Sequence, residues 1–514
     1  MITVVNDKIK SVLLKHYRVS AFLSGWLCVA ALPPFYQTWG LFITFSLMLW
    51  FICNLDNKKQ IFKYGYYSGF AFFAFGLSWI NNALLLDVEK FWWLVPISFL
   101  ASGFFFGLFW AIPVWLCGYL KNLITKYIGL ATLMVLFEWI RSFLFTGFPW
   151  NLLGTTQAYS DVFIQIANII GTLGISWVVI LIASAPALWI LGNKKYKIYI
   201  PVFVILILSL IYGYGYRCLQ KYEYKSSDVV VRLVQPAIPQ TIKWKPTALE
   251  DNLHKHIKMS QLQANDNLDF VIWGETAFPY SIQYDTYQKN LLKYAISGKT
   301  LLITGGIRYN VISYDDYEAF NSMFVVNSKG EILDSYDKTH LVPFGEYIPF
   351  RKYLPAFLKP VASQIGSFKK GLGFKPIKIN DYPDFGGLIC YEVIFPHAIV
   401  DNNNRPQWVI NLTNDGWYGD SSGPYQHLVA AKLRAVEEGI TIVRVAGSGI
   451  SALIAPTGKI IEQIPLGVSD VLDVKLPQKL SFVTIYSKFG NMLIVIWCFC
   501  MLLLCGVINN RTKV

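Results

Sequence analysis

Charge is scarce in this sequence. Asp, Glu, Lys and Arg make up 15% of its 514 residues, 54% are hydrophobic, and the mean hydropathy is positive. That balance is too apolar for an ordinary soluble protein and points to a membrane. Metal-type cysteine spacing is also missing: none of the eight cysteines forms a C-x-x-C pair, which argues against a zinc site or a disulfide framework. Cys28, Cys53, Cys117, Cys498, Cys500 and Cys505 fall inside apolar runs, where they face lipid or pack between helices. His16, His254, His256, His340, His397 and His427 make no Cys-His-Asn arrangement, so each reads as a surface or structural residue. A formal net charge of +13 remains, and the placement of the lysines accounts for part of it without nucleic acid.

Apolar runs long enough to cross a bilayer recur near 17–35, 38–54, 64–83, 91–120, 127–146, 162–192 and 198–216, with another near 486–507. Their connections alternate in charge. Lys8, Lys10 and Lys15 precede the first run, and Arg18 lies at its start. Lys58, Lys59 and Lys63 follow the second, Lys121 and Lys126 the fourth, Lys194, Lys195 and Lys197 the sixth, and Arg511 and Lys513 the last. The intervening loops "PPFYQTW", "LLLDVEK" and "GFPWNLLGTTQAYS" hold almost no lysine. This alternation predicts eight spans with both termini cytoplasmic. The first run is followed by no recognisable cleavage site and is expected to be retained. The chain then divides into a membrane domain of seven helices (1–221), an extracytoplasmic domain (222–483), and an eighth helix with a short cytoplasmic tail (484–514). Glu138 and Arg141 lie one helical turn apart within a span, either as a structural ion pair or as a contact for a lipid head group. Asn81 and Asn82 raise the same choice.

Between 222 and 483 the pattern changes to short β-branched runs alternating with helical stretches. Strands are expected at "VVVRLVQ", "LDFVIWGE", "TLLITGGIRY", "SMFVVNSKGEILDSYDK", "GGLICYE", "QWVINLTND", "ITIVRVAG" and "SALIAPTGKIIEQI"; the fourth and last are hairpins turning at Ser328-Lys329-Gly330 and Thr457-Gly458. Helices are expected over 246–265, 284–297 and 424–439, the last with proline at its start and glycine at its end. Such alternation argues for a mixed-sheet α/β layered fold. These folds place chemistry where strands give way to loops. Glu275 closes "DFVIWGE", Lys338 follows the first hairpin, and Cys390 closes "GGLIC". Read locally, Cys390 is either core packing or a nucleophile. A nucleophilic thiol needs a base and a nearby positive charge. Glu275 can take its proton, and Lys338 can lower its pKa and stabilise an oxyanion.

These residues stand in a longer series: "TGFPW" (146–150), "VQPAIPQTIKW" (234–244), "WGETAFP" (273–279), "KTHLVPFGEYIP" (338–349), "ICYEVIFP" (389–396) and "NDGWYGDSSGPYQHLVAAKLRAVEEG" (414–439). With the seven-plus-one arrangement of spans, the chain resembles the apolipoprotein N-acyltransferases of bacterial inner membranes, whose outer domain belongs to the nitrilase superfamily. The resemblance implies an α-helical membrane bundle of eight transmembrane helices joined to a periplasmic α/β nitrilase-like αββα sandwich. It implies Glu275 as general base, Lys338 as oxyanion-stabilising lysine and Cys390 as acylated nucleophile. Glu346 orients Lys338, the Tyr391 N–H is a second oxyanion donor, and Glu392 is a support. Trp244 and Trp417 match aromatics that handle substrate, with packing as the alternative for each. The sequence departs from relatives at Gly447-Ser448, where Asn-Thr or Asn-Asn is usual, and at Ala237, where Asn is frequent.

The reaction so implied is ping-pong. Cys390 takes an acyl chain from a phospholipid as a thioester, and the α-amine of a diacylglyceryl-cysteine at an apolipoprotein N-terminus then receives it. No cofactor, metal or nucleic acid is called for, and the chain is expected to work as a monomer. The basic, apolar stretch 349–374 is expected either to lie at the headgroup layer as an arm or lid, or to be an ordinary surface loop. The alternative enzyme is a membrane-anchored nitrilase-type amidase that hydrolyses the thioester; a transporter or lipid-binding scaffold is the reading from another class.

Overall fold

Long apolar runs and short β-branched runs occupy different parts of the chain, and the computed structural model folds them separately. It describes residues 2–511 apart from 222–224, 263–266, 314–315, 356–358, 362–366 and 481. Residues up to Asn81, Glu89–Lys221 and those from Phe489 onward form one unit; Asn82–Val88 and the chain up to Lys488 form the other.

The first unit is helical. Among the described residues, five helices are long and apolar enough to cross a membrane: Leu94–Cys117, Leu123–Arg141, Phe163–Leu191, Lys194–Lys221 and Met492–Asn510. Lys58–Gly76 followed by Ser78–Leu85, bent by 47°, makes a sixth if taken together. That is fewer than the eight expected. The runs at 17–35 and 38–54 contain helices of only 13 and 16 residues, Tyr17–Val29 and Trp39–Asn54. The first gives way to a turn at Pro33-Pro34, and sixteen residues rise only about 24 Å against a hydrocarbon core of about 30 Å.

Glu138 and Arg141 anchor irregular backbone in this unit. Arg141 Nη1 donates to the carbonyls of Phe148 and Trp150 at 2.6 Å each, and Glu138 Oε1 accepts the Leu153 N–H at 2.8 Å. The Gly154 N–H reaches Ser176 Oγ at 2.8 Å. Non-helical backbone away from water needs such partners, and these charged side chains supply them from one helix face.

Among its described residues the second unit has twelve strands: β1 Ser226–Gln235, β2 Phe270–Trp273, β3 Leu301–Ser313, β4 Asp316–Val326, β5 Ile332–Asp337, β6 Pro376–Ile377, β7 Phe385–Ile389, β8 Trp408–Thr413, β9 Thr441–Ala446, β10 Ser451–Ile454, β11 Ile460–Ile464 and β12 Asp470–Pro477. They form two six-stranded sheets, ordered β12-β1-β2-β3-β4-β5 and β11-β10-β9-β8-β7-β6. Both are mixed: β1-β2-β3 and β7-β8-β9 run parallel, and the flanking pairs antiparallel. Strand alternation sets the layers. Val231, Leu233, Phe270 and Ile272 of one sheet meet Phe385, Trp408, Ile410 and Val443 of the other in a shared core. Val234, Val271 and Trp273 face the opposite way and pack with Leu253 and Ile257 of the helix Leu249–Ser260. Because central strands are covered on both faces, they read as unbroken apolar runs.

Both expected hairpin turns form, with Gly330 and Gly458 at φ +80° and +79°. Helices are shorter than expected: Leu249–Ser260 within 246–265, and Thr286–Leu291 within 284–297. The edge strand β12 was not anticipated; its polar-apolar alternation is interrupted by aspartates. One of these, Asp473, forms a two-pronged pair with Arg232, Nε to Oδ1 at 2.6 Å and Nη2 to Oδ2 at 2.7 Å. Arg232 Nη1 also donates to the Ser260 carbonyl at 2.7 Å, tying β1, β12 and the covering helix together. Removing one partner from such a pair strands the other charge. Arg232→Ala should therefore lose about 3 kcal/mol, seen as a fall of about 6–12 °C in the unfolding temperature of the detergent-solubilised protein. An unchanged melting curve would contradict this role.

Candidate active site

Three strands stop within reach of one another. Glu275 follows β2, Lys338 follows β5, and Cys390 follows β7; all three are buried. Cys390 has φ +52°, a left-handed conformation that a side chain bearing Cβ adopts only under constraint. The turn takes the residue out of strand geometry and begins the single helical turn Cys390–Ile394.

Lys338 holds the cluster together. Its Nζ lies 3.0 Å from Glu346 Oε1 and 3.5 Å from Glu275 Oε1. Asn321 bridges the same carboxylates from the neighbouring strand, its Nδ2 donating to Glu275 Oε1 at 2.8 Å and to Glu346 Oε1 at 2.9 Å. The Val342 N–H binds the other Glu346 oxygen at 2.8 Å. Burial works against the Lys338 charge, but Glu346 and then Glu275 outweigh it and hold the ammonium well above the usual lysine range. Lys338 is therefore a fixed positive charge rather than a proton acceptor.

The thiol departs from the sequence expectation. Burial, and then the Glu275 carboxylate, push Cys390 up to about 12, and the opposing pull of Lys338 does not prevail. Lys338 does pull the thiol down as expected, but burial and the Glu275 carboxylate outweigh that pull. The resting group is a neutral thiol, and attack requires a base at the moment of reaction. Tyr418 Oη stands 4.0 Å from Cys390 Sγ.

Glu392 fastens the two sheets at the site. Its Oε1 accepts from Tyr336 Oη, Thr339 N, Thr339 Oγ1 and His340 N at 2.6–3.0 Å, and its Oε2 from Ile389 N at 2.7 Å. The loop after Lys338 is thereby bound to the turn carrying Cys390. Tyr391 is buried, its ring edge-on to Phe395 with centroids 5.1 Å apart. Trp244 and Trp417 are half-buried. From the segment of Trp244, the neighbouring Lys243 donates to the Glu275 carbonyl at 2.9 Å and to Thr276 Oγ1 at 3.0 Å. From the segment of Trp417, the next residue, Tyr418, reaches the sulfur. Asn82 donates to the Tyr418 carbonyl at 2.6 Å. The two sequence departures touch each other, the Ala237 N–H donating to the Gly447 carbonyl at 2.9 Å.

Sequence reasoning passed over Asn321, Lys243 and Tyr418. Asn321 was legible through register: β4 pairs Ser322 with Asp337, which sets Asn321 across from Lys338, whose N–H it accepts at 2.9 Å. Lys243 and Tyr418 carry no such signal, since a one-turn helix, Gln240–Lys243, and the end of the turn Asp415–Trp417 bring them in. Among the described residues, no group of three or more His, Cys, Asp or Glu side chains is arranged to hold a metal ion.

Two family descriptions match the chain in succession: the apolipoprotein N-acyltransferase N-terminal domain over residues 24–185, and the carbon-nitrogen hydrolase domain over 230–482. The apolipoprotein N-acyltransferase of Rickettsia typhi is 36% identical over 477 residues, covering 92% of this chain and 95% of its own. That of Rhodopseudomonas palustris is 34% identical over 493 residues, covering 92% of each. This chain belongs to the apolipoprotein N-acyltransferase family. Among solved structures, a nitrilase-superfamily amidase from Nesterenkonia AN1 matches at TM-score 0.37 and 17% identity over 49% of this chain and 92% of that one, a likeness too low to carry an argument. As a member of an acyltransferase family, the chain joins a helical membrane-type unit to a nitrilase-like domain of mixed sheets.

The raised thiol has a measurable consequence. Below its pKa the thiolate fraction rises tenfold per pH unit, so alkylation of Cys390 by iodoacetamide should rise about 100-fold between pH 7 and 9 without levelling off. Peptide mapping by mass spectrometry reads this residue alone. A plateau at or below pH 7 would mean a preformed thiolate and contradict the electrostatics above.

Proposed function

We propose that this protein transfers an acyl chain from a phospholipid, through a thioester on Cys390, to the α-amine of the N-terminal diacylglyceryl-cysteine of apolipoproteins. The observation that carries the reading is the meeting of a buried carboxylate, a fixed ammonium and a strained thiol at three strand exits.

In the first half-reaction the Cys390 sulfur bonds to the ester carbonyl carbon while Glu275 accepts the thiol proton. The Lys338 ammonium and the Tyr391 N–H stabilise the oxyanion. The carbon–oxygen bond then breaks, Glu275 returns the proton to the leaving alkoxide, and a lysophospholipid departs. In the second, the amine nitrogen attacks the thioester carbon, Glu275 takes an amine proton, and the carbon–sulfur bond breaks. The sulfur leaves as thiolate and recovers that proton from Glu275, and the acceptor keeps an amide. Glu346 and Asn321 hold Lys338 and Glu275 in place. Trp244 and Trp417 flank the substrate.

Both substrates carry acyl chains, and each buried CH₂ contributes about 0.8 kcal/mol, so neither readily leaves a bilayer. We assign eight spans, counting the two short helices and the bent pair, with both termini cytoplasmic. Residues 1–221 and 484–514 are then the membrane part, and 222–483 the periplasmic catalytic domain of a monomer in the bacterial inner membrane. A cavity of about 640 Å³ beside the Lys338 loop is lined by Leu341, Tyr347, Phe368 and Leu372 together with Lys369 and Lys370. Its polar side also holds Arg308 paired with Asp337, and Glu318 paired with Lys369. Of the proposed arm at 349–374, residues 356–358 and 362–366 lie outside the described residues.

Incubation with a phospholipid radiolabelled in its acyl chain tests the reading. Label should attach to the wild type, be released by hydroxylamine, and be absent from Cys390→Ser. With an apolipoprotein acceptor, label should pass to its N-terminus. Release as free fatty acid at the same rate with or without acceptor would instead make the protein a hydrolase.

A further inference from the structure

Behind the nucleophile lies a charged cluster that the mechanism above does not use. Asp415, His427 and Arg444 are fully buried. His427 Nδ1 lies 2.8 Å from Asp415 Oδ1, and Arg444 Nη2 lies 2.6 Å from Asp415 Oδ2 and 3.1 Å from His427 Nδ1. Arg444 Nη1 donates to Asn411 Oδ1 at 2.7 Å and its Nε to the Ile450 carbonyl at 3.2 Å. The cluster points at the active site through one atom: His427 Nε2 lies 3.0 Å from the Cys390 carbonyl oxygen. The same imidazole stands edge-on to Tyr418, centroids 5.9 Å apart, whose hydroxyl approaches the sulfur.

Burying charge this deeply is costly unless each group is paired, and a pure packing role would be met by apolar residues. The direction of the hydrogen bond is fixed by chemistry. A carbonyl oxygen only accepts, so Nε2 carries the hydrogen whether or not Nδ1 does. Burial and Arg444 lower the His427 pKa, so the neutral ring accepts at Nδ1 from Arg444 Nη2. Asp415, held well below the usual carboxylate range by Arg444 and His427 despite its burial, anchors that guanidinium.

We propose that His427 is a positioning residue for the nucleophile: its Nε2–H grips the Cys390 carbonyl and keeps the left-handed turn that presents the thiol to Glu275 and Lys338. Left-handed backbone at a residue with Cβ persists only where the surroundings enforce it, and this hydrogen bond acts on the strained residue itself. A trans peptide is planar, so the grip also sets the direction of the Tyr391 N–H, opposite to the gripped oxygen. Asp415 and Arg444 hold the imidazole; they act through His427. The inference rests on Cys390 being the acylated nucleophile.

Three variants of the full-length protein in detergent, assayed with labelled phospholipid, test it. Glutamine can set an amide N–H near the place of Nε2, asparagine is too short, and leucine has no donor. A displacement of about 1 Å at a reacting atom costs about 100-fold in rate. His427→Leu and His427→Asn should therefore lower the rate of thioester formation about 100-fold with KM changed less than threefold. His427→Gln should recover to within about tenfold of wild type. Melting curves taken in parallel report folding. Should His427→Leu fail to fold, the comparison of His427→Asn with His427→Gln decides. Wild-type thioester formation in His427→Asn, or equal loss in the asparagine and glutamine variants at equal folding, would overturn the proposal. Absence of thioester from the wild type itself would instead overturn the proposed function, a separate result.

Discussion

A buried ammonium cannot stand without counter-charge, and Lys338 is the charge around which this site is assembled. Two glutamates meet its Nζ, and Asn321 donates to both of them from the adjacent strand. Without the cation, Glu275 and Glu346 would face each other across Asn321 as like charges in a low-dielectric interior. Beside Glu275 stands a thiol that burial keeps neutral, so its proton moves only when sulfur attacks.

The fold exists to hold those groups against one another. Glu275 and Lys338 come from one sheet and Cys390 from the other, so their geometry depends on how firmly the sheets are joined. The shared core of aromatic and branched residues supplies cohesion, but apolar packing is tolerant of small slips. Glu392 is not tolerant. Its five acceptor contacts bind Tyr336, Thr339 and His340 on one side and Ile389 on the other, converting a general apposition into a specific one. From beneath, the Asp415, His427 and Arg444 cluster meets the backbone of Cys390.

Much of this was legible in the sequence, for physical reasons. Central strands covered on both faces must be apolar, so "DFVIW", "GGLI" and "WVINL" announced themselves, and Glu275 and Cys390, just past the first two, marked the site. Glycine at φ +80° and +79° fixed both hairpins. What escaped notice depends on partners distant in sequence. β12 looks polar because Asp473 serves Arg232, 241 positions away. Asn321 matters only through its register with β5. The raised thiol escaped notice because the pull of Lys338 was weighed without the burial of the sulfur and the Glu275 carboxylate beside it. Span counting by hydropathy merged apolar residues of helix and turn, as at 17–35, where the helix proper has 13 residues.

The central claim is that Glu275, held in place by Lys338 and Asn321, removes the proton of a neutral Cys390 thiol as it attacks. The most direct test is single-turnover acylation of Glu275→Gln, followed by rapid quench with a labelled phospholipid. Glutamine keeps the shape and cannot accept the proton, so the acylation rate should fall by about 10²- to 10⁴-fold with donor affinity little changed. A rate within a few-fold of wild type would contradict the account.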